Sequence, residues 1–387
     1  MLTQELKKIL ASQKRVPKHT IQREQTLPQT DRAIIITGVR RCGKSTLLRQ
    51  THPNALAINF EDPRLQEFTT NDFYKLEELT NKEIILDEVQ NITGWEQYAR
   101  SAIDRGKKLL ITGSNASMLS KELGTALTGR HKPIELFPFS YSEYLTYTKQ
   151  QPSKHTLQAY LQHGGFPEFL KEQDEEYLRT LLKDIVIRDI TIRHNIRNEQ
   201  HILRQALFMI SNVGKEFSYN NMKKTLHIKS VRTVIDYADY LQESYLLALI
   251  PKATASIKKQ LVGPKKCYAI DTGLAQANSL SLSEDTGRLL ENAIFLQLRR
   301  THNNIHYYAD DNTECDFLIK KQHTYTQAIQ VTTHLHEENK EREIRGLQEA
   351  MRKHNLQTGT IITLDQEDTL TQDNIHIIPA WKWLLNT

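Results

Sequence analysis

Cysteine is scarce in this 387-residue chain: Cys42, Cys267 and Cys315 are the only three, too few and too scattered for a disulfide framework or a zinc knuckle. Long apolar runs are missing as well. No stretch approaches the roughly 20 uninterrupted apolar residues that a bilayer span needs, and the start, MLTQELKKILASQKR, has no apolar secretory core. No membrane association is expected, and a cytoplasmic location is. Neither an internal repeat nor a low-complexity tract is visible, which excludes solenoids and disordered linkers as the main architecture. A strong charge of one sign is also absent, the formal balance being +5.

What is present suits a folded protein. Apolar residues make up 39% and charged residues 25%, and the length exceeds what one compact core holds, so two or three domains are expected. The charge excess is concentrated in one place. From His201 to Ile270 there are nine Lys and two Arg against two Asp and two Glu, so this segment is basic and the rest of the chain is slightly acidic.

Short β-branched runs recur in the first part: Ala33 to Thr37, Ala55 to Phe60, Ile84 to Leu86, Leu109 to Thr112 and Ile134 to Phe137. Helix-compatible polar stretches separate them, the pattern of a parallel sheet with crossover helices. From Lys154 the periodicity becomes helical, through GGFPEFL, RDITIRHNIRN and HILRQALFMISNVG. After Asp271 strands and helices alternate again. The expected class is α/β, divided as 1–150 (a P-loop core with an N-terminal helix), 151–270 (a helical, basic region) and 271–387 (a second α/β domain).

The segment Gly38-Val-Arg-Arg-Cys-Gly-Lys-Ser-Thr46 fits G-x-x-x-x-G-K-[ST] and stands after a strand and before a helix, where phosphate binding needs it. Gly38 and Gly43 let the backbone curl so that N–H groups of Arg40, Arg41, Cys42, Gly43 and the helix start, with Ser45 and Thr46, face phosphate oxygens. Lys44 would reach the terminal phosphates of ATP, and the Ser45 hydroxyl would hold Mg²⁺. Cys42, at a helix N-terminus where a thiol pKa tends to fall, reads chiefly as a small space-filler. About 40 residues on, Ile84-Ile-Leu-Asp-Glu-Val89 is an apolar strand ending in two carboxylates. Asp87 is expected on Mg²⁺ and Glu88 on the attacking water. The strand LLITGSN ends in Thr112, Ser114 and Asn115, which would face the γ-phosphate, although Ser114 or Asn115 serves equally as a helix cap.

GVRRCGKST, LDEVQNITGW, ITGSNASMLSKEL, LTGR and FPFSYSEYL together resemble the prokaryotic AAA-type ATPases whose C-terminal half is a conserved domain of unknown function. GGFPEFL and KKCYAIDTGL match landmarks of that second half, so the resemblance spans nearly the whole chain. It implies an AAA-like ATPase core, a middle winged-helix region and a C-terminal domain similar to PD-(D/E)xK nucleases, in a homo-oligomer. At the LTGR position stands Arg130, where AAA proteins present an arginine to a neighbouring subunit's γ-phosphate; a surface ion pair is the alternative. The nuclease-like pattern places Glu291 and Asp316 at the first two acidic positions and Gln330 and Thr332 where an acid and a lysine belong, so the site is expected to be degenerate. Gln330 would be at most a neutral third ligand beside two carboxylates, and His334 and His336 read as loop residues.

In the basic middle, the helix ending at Val213, the stretch MKKTLHI and the helix from Ser230 to Tyr245 have helix-turn-helix spacing, with PKATASIKKQLVGPKK as a wing. Val231, Val234, Ile235, Ala238 and Leu241 form the expected apolar stripe of the third helix, leaving Lys229, Arg232, Thr233 and Tyr237 outward. Asp236 and Asp239 beside them make that helix a poor groove reader. Lys252 and the wing lysines Lys258, Lys259, Lys265 and Lys266 are better candidates for DNA phosphates, with a solvated basic face that packs against another subunit as the equal alternative. The resulting expectation is an Mg²⁺-dependent ATPase coupled to a basic, DNA-contacting platform. Alternatives are an ATP-gated protein scaffold, or a nuclease with a relocated lysine such as Lys320 or Lys321.

Overall fold

The structure is a computed structural model that describes residues 3–13, 20–79, 82–115, 127–281, 285–310, 313–370 and 374–385. It divides into two compact units, Met1–Phe137 with Glu243–Tyr245, and Pro138–Gln242 with Leu246–Thr387.

The first unit is built on five parallel strands, β1 (Ala33–Thr37), β2 (Leu56–Asn59), β3 (Glu83–Asp87), β4 (Lys108–Gly113) and β5 (His131–Glu135), in the order β2-β3-β4-β1-β5. All five residues of β1 are buried, as a central strand covered on both faces requires. Among the described residues four α-helices accompany the sheet: α1 (Thr3–Ser12), α2 (Lys44–Thr51), α3 (Asp72–Glu78) and α4 (Trp95–Asp104). Leu6, Ile9 and Leu10 of α1 join Phe73, Trp95 and Tyr98 in one apolar cluster, where the rings of Phe73 and Tyr98 stack at 4.3 Å. Each such fully buried side chain stabilises the fold by about 1.5–3 kcal/mol. The fifth strand begins earlier than its apolar residues suggest. Among the described residues it pairs with β1 alone, and an edge strand tolerates the polar His131 and Lys132 and the missing donor of Pro133.

The second unit opens with five helices, α5 (Tyr141–Thr148), α6 (Lys154–His163), α7 (Pro167–Glu172), α8 (Glu175–Asp184) and α9 (Glu199–Ile210), with a π-helical stretch at Ile185–Ile192. There follow β6 (Glu216–Phe217), α10 (Tyr219–Thr225), α11 (Val231–Glu243), β7 (Leu247–Pro251), α12 (Ile257–Val262) and β8 (Lys265–Ala269). β6, β8 and β7 form a small antiparallel sheet. The sequence hides these strands because they are short or carry lysines. On α11 the buried stripe is Val234, Tyr237, Ala238 and Leu241. Tyr237 was expected outward; it lies three residues after Val234 and four before Leu241, so it falls on the apolar face, and Ile235 is only partly covered.

Two further helices, α13 (Thr272–Asn278) and α14 (Thr286–Thr301), lead into a six-stranded mixed sheet. Its strands are β9 (Ile305–Asp310), β10 (Thr313–Lys321), β11 (Thr324–Val331), β12 (Gly359–Thr363), β13 (Asp368–Leu370) and β14 (Ile375–Pro379), in the order β13-β14-β12-β11-β10-β9. The charged helix α15 (Glu337–His354) packs on β10 and β11, and α16 (Ala380–Trp383) is the last described helix.

Buried Asp271 explains two sequence landmarks at once. Its carboxylate accepts from the N–H of Gly165 at 2.6 Å and caps α13 by accepting from the N–H of Leu274 at 2.8 Å, joining GGFPEFL to YAIDTGL. Gly165 cannot carry a side chain, since a Cβ there would lie 2.2 Å from the Phe139 carbonyl oxygen. Burial pushes the Asp271 carboxyl up to about 6. Because this exceeds the unfolded value, the group's contribution to stability is fully present below pH about 4 and is lost as pH rises through about 6. Asp271→Ala would leave two buried N–H donors without their acceptor, and a loss of about 2–5 kcal/mol in urea denaturation is expected.

Candidate functional site

The P-loop follows β1 directly. Gly38 has φ 147° and sits so close to the fifth strand that a Cβ would lie 2.1 Å from the Leu136 carbonyl oxygen, so glycine alone fits. Arg41 and Gly43 also take positive φ, 68° and 102°, turning the loop into the start of α2. Lys44, Ser45 and Thr46 are thereby placed in the first turn of α2.

β4 lies between β1 and β3, which brings the ends of three strands together. Asp87 Oδ1 accepts from Ser45 Oγ at 2.7 Å and from Thr112 Oγ1 at 2.5 Å. The Thr112 hydroxyl in turn accepts from the Glu88 N–H at 3.0 Å. Glu88 adopts the left-handed φ of 52°, a conformation that costs a non-glycine residue energy and turns its side chain out of the strand's alternation. Its carboxylate lies 3.4 Å from Lys44 Nζ and accepts from Gln90 Nε2 at 2.5 Å. Lys44 Nζ also donates to the carbonyls of Gly38 and Val39, at 3.1 and 3.2 Å.

These contacts set the charges. Burial raises the Asp87 carboxyl above the usual range, with adjacent Glu88 adding to the rise. Burial alone would raise Glu88 too, but the Lys44 ammonium holds it below its ordinary value. Lys44 is buried, which would lower its pKa, yet Glu88 and the other nearby anions raise it. The site thus presents a fixed ammonium, an ionised Glu88 and a hydroxyl–carboxylate pair. Ser45 and Asp87 fit an Mg²⁺ held by one hydroxyl, one carboxylate and phosphate oxygens.

The remaining residues fall around this centre. Arg40 pairs with Glu61 at 2.5 Å. Cys42 is fully buried and burial pushes its thiol up, against the fall a helix N-terminus favours, in keeping with a space-filler. Ser114 and Asn115 are buried just past β4. The remainder of ITGSNASMLSKEL, residues 116–123, lies outside the described residues. Arg130 forms an exposed ion pair with Asp104, at the end of α4. Arg23 was not foreseen: buried, it donates to the Cys42 carbonyl at 3.0 Å and the Phe137 carbonyl at 2.7 Å, bracing the loop, and nothing local in its sequence marks it.

In the second unit the expected basic wing is only partly basic surface. Lys258 and Lys259 are exposed on α12, beside Ile257, Leu261 and Val262, which are about three-quarters exposed. Lys229 is exposed and Thr233 partly covered. Lys265 is half-buried and donates to the Gln260 carbonyl at 2.9 Å. Arg232 is tied to Asp236 at 2.8 Å. Lys266 is not a surface contact at all; it is 2% exposed, on the inward face of β8, and pairs with Glu291, Glu314 and Asp316.

Glu291 and Asp316 therefore do meet, in a cavity of about 870 Å³ that Gln330, Arg342 and Glu343 also line. Thr332 is absent from the lining, its hydroxyl donating to the His334 carbonyl. Lys320 and Lys321, at the far end of β10, do not reach the cavity, so the lysine beside the acids is Lys266. The clue lay in KKCYA, whose strand alternation puts Lys266 on the same face as Tyr268. Glu343, on α15, was also missed. His334 and His336 are exposed, and no group of three His, Cys, Asp or Glu able to hold a metal exists among the described residues. Nor is any described helix long and apolar enough to cross a membrane.

Strand order, P-loop and the paired carboxylates at the end of β3 define an AAA-type P-loop ATPase domain, and a family model described as AAA domain matches residues 30–145. Two models described as domains of unknown function, DUF8612 and DUF4143, match residues 154–286 and 286–383. A protein of Methanocaldococcus jannaschii described as uncharacterised is 33% identical, over 91% of this chain and 88% of its own length. One from Haemophilus influenzae, described likewise, is 30% identical over 79% and 85%. The chain belongs to this family of AAA-type P-loop proteins with two C-terminal domains of unknown function. Among solved structures, the Thermotoga maritima RuvB Holliday junction branch migration motor matches at 16% identity and TM-score 0.30, covering 64% of this chain and 88% of that one. Cdc6p of Pyrobaculum aerophilum matches at 14% identity and TM-score 0.23, over 64% and 86%. Scores this low carry no inference.

Thr112 links both carboxylate positions to β4, so Thr112→Val should remove a buried acceptor from the Glu88 N–H and a donor from Asp87. A stability loss of about 1–3 kcal/mol at unchanged urea m-value is expected.

Proposed function

We propose that this protein hydrolyses ATP with Mg²⁺ and uses the nucleotide state to control a basic platform in its second unit. The observation that carries the reading is the contact of Ser45 with Asp87, with Lys44 and Glu88 3.4 Å apart beside it. In this reading the P-loop N–H groups and Lys44 hold the phosphates. Ser45 and Asp87 hold Mg²⁺, which would neutralise charge on the phosphate oxygens. Glu88, kept ionised by Lys44, orients and polarises the attacking water, while Asn115 senses the γ-phosphate. Arg130 would serve a neighbouring copy in a homo-oligomer: an exposed ion pair such as Arg130–Asp104 adds little stability and is readily exchanged for a phosphate.

For the platform, the order α9, β6, α10, α11, β7, β8 supports a winged helix, with Lys258 and Lys259 of the β7–β8 connection meeting DNA phosphates. A second reading, an ATP-gated protein scaffold, is favoured by the exposed Ile257, Leu261 and Val262 on the same short helix.

Lys44→Ala should abolish ATP binding in titration calorimetry, because backbone donors alone do not neutralise the terminal phosphates. Glu88→Gln should bind ATP normally and turn it over at least about a hundredfold more slowly. Turnover within about threefold of the wild type would remove Glu88 from the water-activating role.

Replacing Lys258 and Lys259 together by Ala should weaken DNA binding and flatten its salt dependence by roughly one unit of slope per lost phosphate contact. An unaltered slope would favour the scaffold reading.

A further inference from the structure

The likeness to PD-(D/E)xK nucleases implies a divalent ion between Glu291 and Asp316, and the donor set present there does not fit one. The Lys266 ammonium faces Glu314 Oε1 at 2.6 Å, Asp316 Oδ1 at 2.8 Å and Glu291 Oε1 at 3.1 Å. The ammonium donates to Glu291 and Asp316 and is ion-paired with Glu314, so three carboxylates balance one cation. The second oxygen of Asp316 accepts from the Val331 N–H at 2.9 Å. Glu291 Oε1 takes a further hydrogen bond from Tyr268 at 2.6 Å.

Gln330 cannot supply the missing ligand. Its amide lies between a group that only donates, the Asp316 N–H at 3.2 Å, and a group that only accepts, Glu343 Oε2 at 2.7 Å. That fixes its orientation: the amide oxygen is taken by Asp316 and the NH₂ points at Glu343. Glu343, a further buried carboxylate lining this cavity, is thereby committed to Gln330 and to Arg342, at 2.5 Å. Lys266 itself projects from the antiparallel β8 and passes the Tyr307 ring at 5.8 Å, so it is anchored by a sheet.

We infer that Lys266 is the resident cation of this cluster, so that the C-terminal domain takes no divalent ion at Glu291 and Asp316 and cuts no phosphodiester. Hard carboxylate oxygens of three residues converge on the position of its Nζ. Removing the ammonium while leaving them in place creates the oxygen-rich pocket that Mg²⁺ or Mn²⁺ prefers.

The test is to count bound Mn²⁺ by electron paramagnetic resonance on the full, nucleotide-free chain in four forms: wild type, Asp316→Asn, Lys266→Met and the double variant. Any Mn²⁺ at the P-loop is common to all four and cancels. Wild type and Asp316→Asn should bind the same number. Lys266→Met should bind one more, lost again in the double variant, and should gain an Mn²⁺-dependent rise in melting temperature that the wild type lacks. The inference is overturned if the wild type binds one Mn²⁺ more than Asp316→Asn, or nicks supercoiled plasmid with Mg²⁺ in a manner lost in Asp316→Asn. A folded Lys266→Met that gains no Mn²⁺ overturns it equally. Should Lys266→Met not fold, the comparison of wild type with Asp316→Asn decides alone.

Discussion

The first unit depends on one buried carboxylate. Asp87 ends a strand with no freedom to leave the sheet, and a single oxygen of its side chain is shared by a hydroxyl from α2 and a hydroxyl from β4. That sharing holds the helix after the P-loop to the strand two places away in the sheet. It requires β4 to lie between β1 and β3; with β1 and β3 adjacent, Thr112 would have no position from which to reach both Asp87 and the Glu88 backbone. The left-handed turn at Glu88 follows, because Thr112 accepts its N–H while the side chain is turned toward Lys44. Burial, with a like-charged neighbour adding to it, raises Asp87, a cation outweighs burial to lower Glu88, and two consecutive carboxylates acquire different protonation behaviour from one arrangement.

This part of the molecule was legible because its chemistry is local in sequence. A glycine that must be glycine, a lysine one residue into a helix and two acids at the end of an apolar strand each sit beside the element that positions them. What escaped was whatever depends on another part of the chain. Arg23 matters only because the Cys42 and Phe137 carbonyls converge on it. Tyr237 was misplaced because an aromatic with a polar tip was read by its hydroxyl and not by its position on the helix. β5 begins in polar residues that only an edge position permits.

The second unit shows why a count of charges is a poor guide to a surface. The segment from His201 to Ile270 is strongly basic in composition, yet Arg232 is bound to Asp236, Lys265 to a carbonyl and Lys266 to three carboxylates. Lysine stems pack well against apolar neighbours, so a lysine on a strand goes wherever alternation and an acidic partner send it. The acids that receive Lys266 lie on α14 and β10, and Glu343 comes from a third element, so no spacing within one motif could have revealed the group.

The three cysteines, noted first for their rarity, have a consequence of another kind. All are buried, and burial raises each thiol above its ordinary value, so none offers a reactive thiolate to solvent. Cys42 lies in the P-loop, Cys267 on the strand that carries Lys266, and Cys315 immediately before Asp316. Labelling by a thiol reagent is therefore governed by local opening of the chain, and the protein carries a native reporter for the rigidity of each place where its chemistry is decided.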